Sequence, residues 1–423
     1  MRRLTRREFL TAAAGAAVPV LPLHAQERGK PIGRVAVIGG GYGGATAAKY
    51  LRIWSEGTAE VVLIERDAEF ISCPASNLVL GGSKVIADIT RSYARLADHG
   101  VRVIHDEVTA VDRASRKLTL RRGGDVYWDR LIVSPGIHLM HDRIEHYDAD
   151  AQKTVLHAWR AGPETLALKK QLESMRDGGV FLIAIPLAPY RCPPGPYERA
   201  CQVAFYFKRA KPRSKVLILD ANEDVTSEGS LFKAAWNELY KGMIEYRPNS
   251  EVREIDARAM LVKTDFDAIK GDILNVLPPM RAGEIARTAG LVTANGRWCG
   301  VDWLSMESLA QKNIHVLGDS VLPAPAMPKS GHMANQQGKL AAAAIIELLN
   351  GREPDPQPVL TSTCYSFVSD TQAIHVASVH RYDVAQKTFE PVHSAAGVSA
   401  VRNEAEGKYG WAWAQSIWSD MLG

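Results

Sequence analysis

Arg34-Val35-Ala36-Val37-Ile38 runs directly into Gly39-Gly40-Gly41-Tyr42-Gly43-Gly44, and that turn opens an alanine-rich stretch from Ala45 to Leu51. The short β-branched run reads as a buried parallel strand and the stretch after the turn as a helix. A second strand, Glu60 to Ile64, ends at Glu65, 26 residues after Gly39. Strand, G-x-G-x-x-G turn, helix and acid in that order form a dinucleotide-binding unit. Gly39 allows the tight turn, Gly41 lets the backbone approach a pyrophosphate, and Gly44 permits close packing of helix on strand. The helix N-terminus then faces the phosphates, and Glu65 accepts from a ribose hydroxyl.

Further along, Asp129 to Gly136 reads as a strand ending in a tight turn. Gly179 to Ile185 and Lys215 to Leu219 suggest a second strand–helix unit, and Ile314 to Asp319 is a strand ending in an acid. A proline-rich linker, Pro354 to Pro358, precedes a tail rich in Trp, Tyr and His. The expected organisation is 33–150 and 266–350 for the first unit, 151–265 for the second, and 351–423 for a C-terminal domain. A chain of 423 residues with 46% apolar and 23% charged residues is an ordinary globular protein, neither disordered nor a disulfide scaffold.

The net charge of +4 is concentrated at one end. Residues 1–25 hold four arginines and one glutamate, leaving 47 basic and 46 acidic residues elsewhere. A nearly neutral body gives nucleic acid no electrostatic footprint. Thr5-Arg6-Arg7-Glu8-Phe9-Leu10, the apolar stretch to Leu23 and the small-residue site at Ala25 read as a twin-arginine export signal. Export to the periplasm is expected, with no membrane span in the mature chain, because no later stretch offers 18 unbroken apolar residues. Disulfides persist there, yet five cysteines (Cys73, Cys192, Cys201, Cys299, Cys364) leave one over after two pairs. The histidines show no metal-ligand spacing, so no metal site is expected.

The glycine motif, the turn at Gly136 and Leu317-Gly318-Asp319 resemble the two-dinucleotide-domain flavoproteins of the glutathione-reductase type. The resemblance implies an α/β fold of two Rossmann-like dinucleotide-binding domains plus a C-terminal interface domain. It also implies FAD, with Gly136, Gly318 and Asp319 beside it. Two departures stand out. The strand Val180 to Ile185 runs into Pro186, with no glycine turn to seat NAD(P)H, and no C-x4-C follows the first unit. Instead Cys192 stands in Pro189-Tyr190-Arg191-Cys192-Pro193-Pro194-Gly195-Pro196, where restricted φ angles fix its position and Arg191 favours its thiolate.

That loop, Thr363-Cys364-Tyr365-Ser366, Met327 to His332 and Ser72-Cys73-Pro74-Ala75-Ser76-Asn77 closely resemble the flavoprotein subunit of flavocytochrome c sulfide dehydrogenase. This family is related to the sulfide:quinone oxidoreductases. The resemblance implies a thioether from Cys73 to FAD, with Asn77 in the same stretch, and a redox disulfide joining Cys192 to Cys364. Glu198 would be a general acid or base, and Lys329 with the helix near Gly331 would stabilise negative charge on the flavin. The substrate would be a small inorganic sulfur species, sulfide, oxidised to zero-valent sulfur or polysulfide. Since the chain has no C-x-x-C-H, haem c would reside on a partner only, a c-type cytochrome subunit. Two alternatives stay open: a membrane-associated sulfide:quinone oxidoreductase, and a flavin-bearing accessory module of a sulfur-oxidation system.

Overall fold

The computed structural model describes residues 31–423; the expected export signal, residues 1–25, lies outside the described residues. Strand β1 (Gly33–Ile38), helix α1 (Tyr42–Trp54), strand β2 (Ala59–Ile64), helix α2 (Ser76–Gly81), strand β3 (Arg102–Ile104) and strand β4 (Arg130–Val133) build the first unit. β1 pairs in parallel with β2 on one side and β4 on the other, and β2 carries β3. Val35, Ala36 and Val37 are buried in succession, as a strand covered on both faces requires.

The second unit comprises α3 (Pro163–Ser174), β5 (Val180–Ile185), α4 (Gly195–Ala210), β6 (Lys215–Asp220), α5 (Gly229–Leu239), β7 (Ile244–Arg247) and β8 (Ile273–Val276). Its four strands lie in the order β7-β6-β5-β8, all parallel. β8 carries this sheet past the expected boundary at 265.

The chain then returns to the first sheet. β9 (Ile314–Val316) pairs in parallel with β4, and two short strands, Val301–Asp302 and Glu307–Ser308, extend the sheet to seven. Helix α6 (Gly331–Leu349) packs across α1 so closely that a Cβ on Gly338 would meet the Gly43 carbonyl at 2.5 Å. An antiparallel sheet of β10 (Val359–Phe367), β11 (Ala373–Asp383) and β12 (Thr388–Pro391) follows, then helix α7 (Glu404–Leu422).

The C-terminal helix is tied back to the first unit. Lys49 donates to the carbonyls of Ser419 (3.1 Å) and Asp420 (2.9 Å). Asp420 accepts from Tyr50 (2.5 Å), Asn335 (2.7 Å) and Lys339 (3.0 Å). Trp418 is fully buried and donates to Tyr42 of the glycine turn, whereas Trp411 and Trp413 are only half-buried. His380 is buried and bonds Ser378; His375 pairs with Glu406 at 2.7 Å. Among the described residues no helix is long and apolar enough to cross a membrane.

Candidate active site

A cavity of about 520 Å³ runs from the glycine turn to the meeting point of the three units. At its first end Gly39 has φ +93°, and a Cβ there would strike the Ser134 carbonyl at 2.3 Å. Gly44 lies behind the wall, where a Cβ would come within 1.9 Å of the Gly39 carbonyl, so its task is close packing of α1 on β1. Gly41 lines the cavity and has nothing within 4 Å of where its Cβ would stand, so any side chain would occupy the cavity itself. Glu65 lines it too, and its carboxylate accepts from the amides of Gly40 (2.6 Å) and Asp67 (2.9 Å). It braces the turn and has lone pairs left for a ribose.

Gly136, Gly318 and Asp319 line the middle. Gly136 and Gly318 have φ of 68° and 70°, and the Gly318 amide is held by Gln337 Oε1 at 2.7 Å. Asp319 Oδ1 is buried without a hydrogen-bond partner among the described residues. Burial raises this carboxyl, against the opposing pull of Arg191 and Lys329. An open glycine cradle, a helix N-terminus and a buried acid awaiting a donor fit a flavin dinucleotide. Gly39, Gly41, Glu65, Gly136, Gly318 and Asp319 would hold it.

The other end gathers Cys73, Cys192, Cys364 and Glu198 in the same wall. Cys192 adopts φ of 60°, a conformation costly for a residue with a side chain, and its amide donates to the Lys329 carbonyl at 2.8 Å. Gly195 opens α4 directly beneath it, since a Cβ there would stand 2.8 Å from Cys192 Sγ. Cys364 lies mid-strand in β10, in register with Val376. Segment 329–332 holds both cysteine segments: Ser330 Oγ lies 3.0 Å from Ser362 Oγ, and the Thr363 amide donates to His332 Nδ1 at 3.0 Å.

All five cysteines are free thiols in the structure, so the bond expected between Cys192 and Cys364 is not formed here, although both face one cavity. Cys201 and Cys299 are buried apart from it. Arg191 does favour the Cys192 thiolate, but burial outweighs it and raises the thiol well above its ordinary value. Cys364 is pushed up to about 12, chiefly by burial and then by Glu228.

Glu198 is 7% exposed and accepts from Asn77 Nδ2 (2.7 Å) and the Phe367 amide (2.9 Å). Burial pushes its carboxyl up to about 7, despite those two donors. Two expected roles need correction. Asn77 does not line the cavity: it links Glu198 to Arg199, whose Nε donates to Asn77 Oδ1 at 3.0 Å. Lys329 is turned away from the main cavity, donating to the carbonyls of Asp319 and Val321 and lying 3.7 Å over the Trp298 ring. Burial lowers its amine to about 7. The positive pole facing the cavity at this point is the N-terminus of α6 at Ser330 and Gly331.

Sequence reading missed Arg199, 1% exposed, which bridges Asn77, Asn275 Oδ1 (2.9 Å) and the carbonyls of His157 and Ala158 (both 2.7 Å). It also missed Glu228, whose Oε2 accepts from Ser366 at 3.2 Å. The signal for Arg199 was a charged pair in the first turn of a helix that opens on Gly195-Pro196. Glu228 lay in a polar loop that showed none. In the second unit, Asp220 at the end of β6 accepts from Tyr197 (2.7 Å), Asn222 Nδ2 (2.7 Å) and Tyr246 (3.1 Å).

Three family models match the chain. Residues 165–278 match the central domain of the sulfide dehydrogenase [flavocytochrome c] flavoprotein chain, and residues 356–422 match its flavin-binding domain. Residues 33–171 match the pyridine nucleotide-disulphide oxidoreductases. A sulfide dehydrogenase [flavocytochrome c] flavoprotein chain from Chlorobaculum thiosulfatiphilum is 50% identical over 46 residues, 11% of this chain and 94% of that sequence. The mitochondrial sulfide:quinone oxidoreductase of Dictyostelium discoideum is 22% identical over 305 residues, 69% of this chain and 66% of that protein's length. The sulfide:quinone oxidoreductase structure from Aquifex aeolicus superposes with a TM-score of 0.74 at 17% identity, covering 92% of this chain and 91% of that one. The NAD-dependent persulfide reductase from A. fulgidus shares the fold with a TM-score of 0.61 at 16% identity, covering 92% and 77%.

Proposed function

We propose, because this chain belongs to the family of flavoprotein chains of flavocytochrome c sulfide dehydrogenase, that it oxidises sulfide at Cys192 and Cys364 and delivers the electrons through FAD to a c-type cytochrome subunit in the periplasm. The observation that carries this reading is the single cavity joining a dinucleotide cradle to Cys73, Cys192, Cys364 and Glu198. When bound, FAD supplies a two-electron sink that empties one electron at a time.

The residues supply the rest. With Cys192 and Cys364 joined, hydrosulfide attacks one sulfur, the S–S bond breaks, and a persulfide and a thiolate result. Burial disfavours both thiolates, so the neutral bonded state is preferred and a thiolate formed there readily gives up its electrons. The hydrosulfide proton goes to Glu198, which titrates near neutrality. Overall HS⁻ yields zero-valent sulfur, one proton and two electrons. Cys73 is the proposed attachment point of the flavin.

The test is the acid-denatured mass of the purified protein together with its visible spectrum before and after sulfide. We expect the mass of the chain plus one FAD, loss of that increment in Cys73→Ala, and bleaching by sulfide. A protein without flavin, or a spectrum that sulfide leaves unchanged, overturns the reading. Similarity to two sulfide:quinone oxidoreductases favours a second acceptor. Faster oxidation by a soluble quinone than by cytochrome c would decide for it.

A further inference from the structure

The two cysteines of the site have different surroundings. Ser362 and Cys364 stand two positions apart on β10 and project to one face of the strand. Ser330, the N-cap of α6, lies beside them with its Oγ 3.0 Å from Ser362 Oγ. Both serines are buried, and Ser330 Oγ also accepts from the Met333 amide at 3.1 Å. The pair has two hydroxyl protons. One lies between the two oxygens, and the other has no acceptor among the described residues except the Cys364 sulfur. Whichever way the pair is oriented, one O–H is left for Cys364. Burial and then Glu228 push the Cys364 thiol up, and the hydrogen bonds from Ser330 and Ser362 pull against them.

Cys192 has no such donor: among the described residues no side chain hydrogen-bonds its sulfur. Pro193, Pro194 and Pro196 have no N–H, and the Gly195 amide is taken by the Cys192 carbonyl at 3.0 Å. The prolines thus remove the usual donors from the α4 N-terminus, beside which this sulfur sits. Arg191 brings a charge near, but its guanidinium donates to the Trp159 carbonyl and also faces Cys73 and Asp319.

We infer that the disulfide is polarised: hydrosulfide attacks Cys192, and Cys364 leaves as the thiolate, received by the hydroxyl pair of Ser330 and Ser362. The inference deepens the sulfide-oxidation reading and rests on it. In thiol–disulfide exchange the better stabilised thiolate is the better leaving group, and attack falls on its partner. A bond forms between the hydrosulfide sulfur and Cys192 Sγ, the bond from Cys192 to Cys364 breaks, and its electron pair stays on Cys364. The hydrosulfide proton goes to Glu198, which stands on the first turn of α4 just beyond Cys192 and lines the same cavity. The persulfide is then on Cys192, and the electron pair destined for FAD is on Cys364.

The experiment uses the full, FAD-loaded chain with its disulfide formed, and sulfite as the probe. Sulfite opens a disulfide into one S-sulfonate and one thiolate, and the S-sulfonate stays on the attacked sulfur. After alkylation of the free thiol, peptide mass spectrometry locates both. In wild type we expect the S-sulfonate on Cys192 and the alkyl group on Cys364. Acid-quenched reaction with one equivalent of sulfide should likewise leave the extra sulfur on Cys192. In the double variant Ser330→Gly with Ser362→Ala, glycine keeps an acceptable N-cap. There the ratio of S-sulfonate on Cys364 to that on Cys192 rises about ten-fold, the effect of one lost hydrogen bond to an anion. Ser330→Thr with Ser362→Ala keeps one hydroxyl and the wild-type ratio. S-sulfonate mainly on Cys364 in wild type, or equal ratios in wild type and the first double variant, overturns the inference and leaves sulfide oxidation standing. Failure of sulfide to bleach the flavin overturns the functional reading, while the sulfite ratio still decides the polarity. If Cys192 and Cys364 form no disulfide, both fall.

Discussion

Glu198 accepts two hydrogen bonds and lies beside Arg199, yet its carboxyl titrates near 7 because burial outweighs all three favourable partners. Its ordinary value lies near 4.5, so between about 4.5 and 7 the folded chain keeps a proton that the unfolded chain has lost. Stability therefore falls as pH rises through that window, by about 3 kcal/mol for a shift of this size. Chemical denaturation should show wild type losing stability relative to Glu198→Gln between about pH 5 and pH 8. A constant difference across the range would show that the carboxyl stays ionised throughout. Cys192 stood out in the sequence because prolines restrict its loop, whereas Cys364 and Glu198 were singled out only through the family pattern around them. Lys329 misled because a sequence gives a side chain's position along the chain but not its direction. Its Trp298 neighbour and the carbonyls of Asp319 and Val321 draw the amine behind the cavity wall.

At the scale of elements, the contact between α1 and β1 is set by Gly44, whose missing side chain lets the helix approach the Gly39 carbonyl. Gly44→Ala places a Cβ 1.9 Å from that oxygen, with backbone on both sides of the clash. The helix must retreat, at a cost of about 2–4 kcal/mol, and the cradle at Gly41 opens with it. The expected outcome is purified protein with a lower melting temperature and substoichiometric flavin, read from the ratio of visible to ultraviolet absorbance. Full flavin content at wild-type stability would refute this. Six strands of the parallel sheets (β1, β2, β4, β5, β6 and β9) were legible because burial on two faces demands unbroken apolar runs such as Val35–Ile38 and Phe181–Ile185, whereas the short β3 and β7, which carry Arg102 and Glu245, offered no such run. β8 was missed: its Ile273–Val276 run includes the buried Asn275, which interrupts the apolar pattern in order to hold Arg199.

For the molecule as a whole, the C-terminal helix closes the structure onto the first unit through Asp420, which takes three side-chain donors from α1 and α6. Asp420→Ala removes a half-buried, charge-assisted cluster, and should cost about 2–3 kcal/mol. Hydrogen exchange should register the loss in α7 and in the N-terminal turns of α6, with the second unit unaffected. Uniform exchange throughout would mean that the three units unfold as one. Such long-range ties leave no periodicity in a sequence, which is why the tie at Asp420 became visible only in the folded chain. The segment from Lys329 to His332 has a wider effect. Cys192 is hung from its first residue by a backbone bond, and the Cys364 strand from its second and last. The two sulfurs therefore share one bracket. When the lobes breathe, both travel with it, and their separation is protected as a difference signal is protected from common-mode noise.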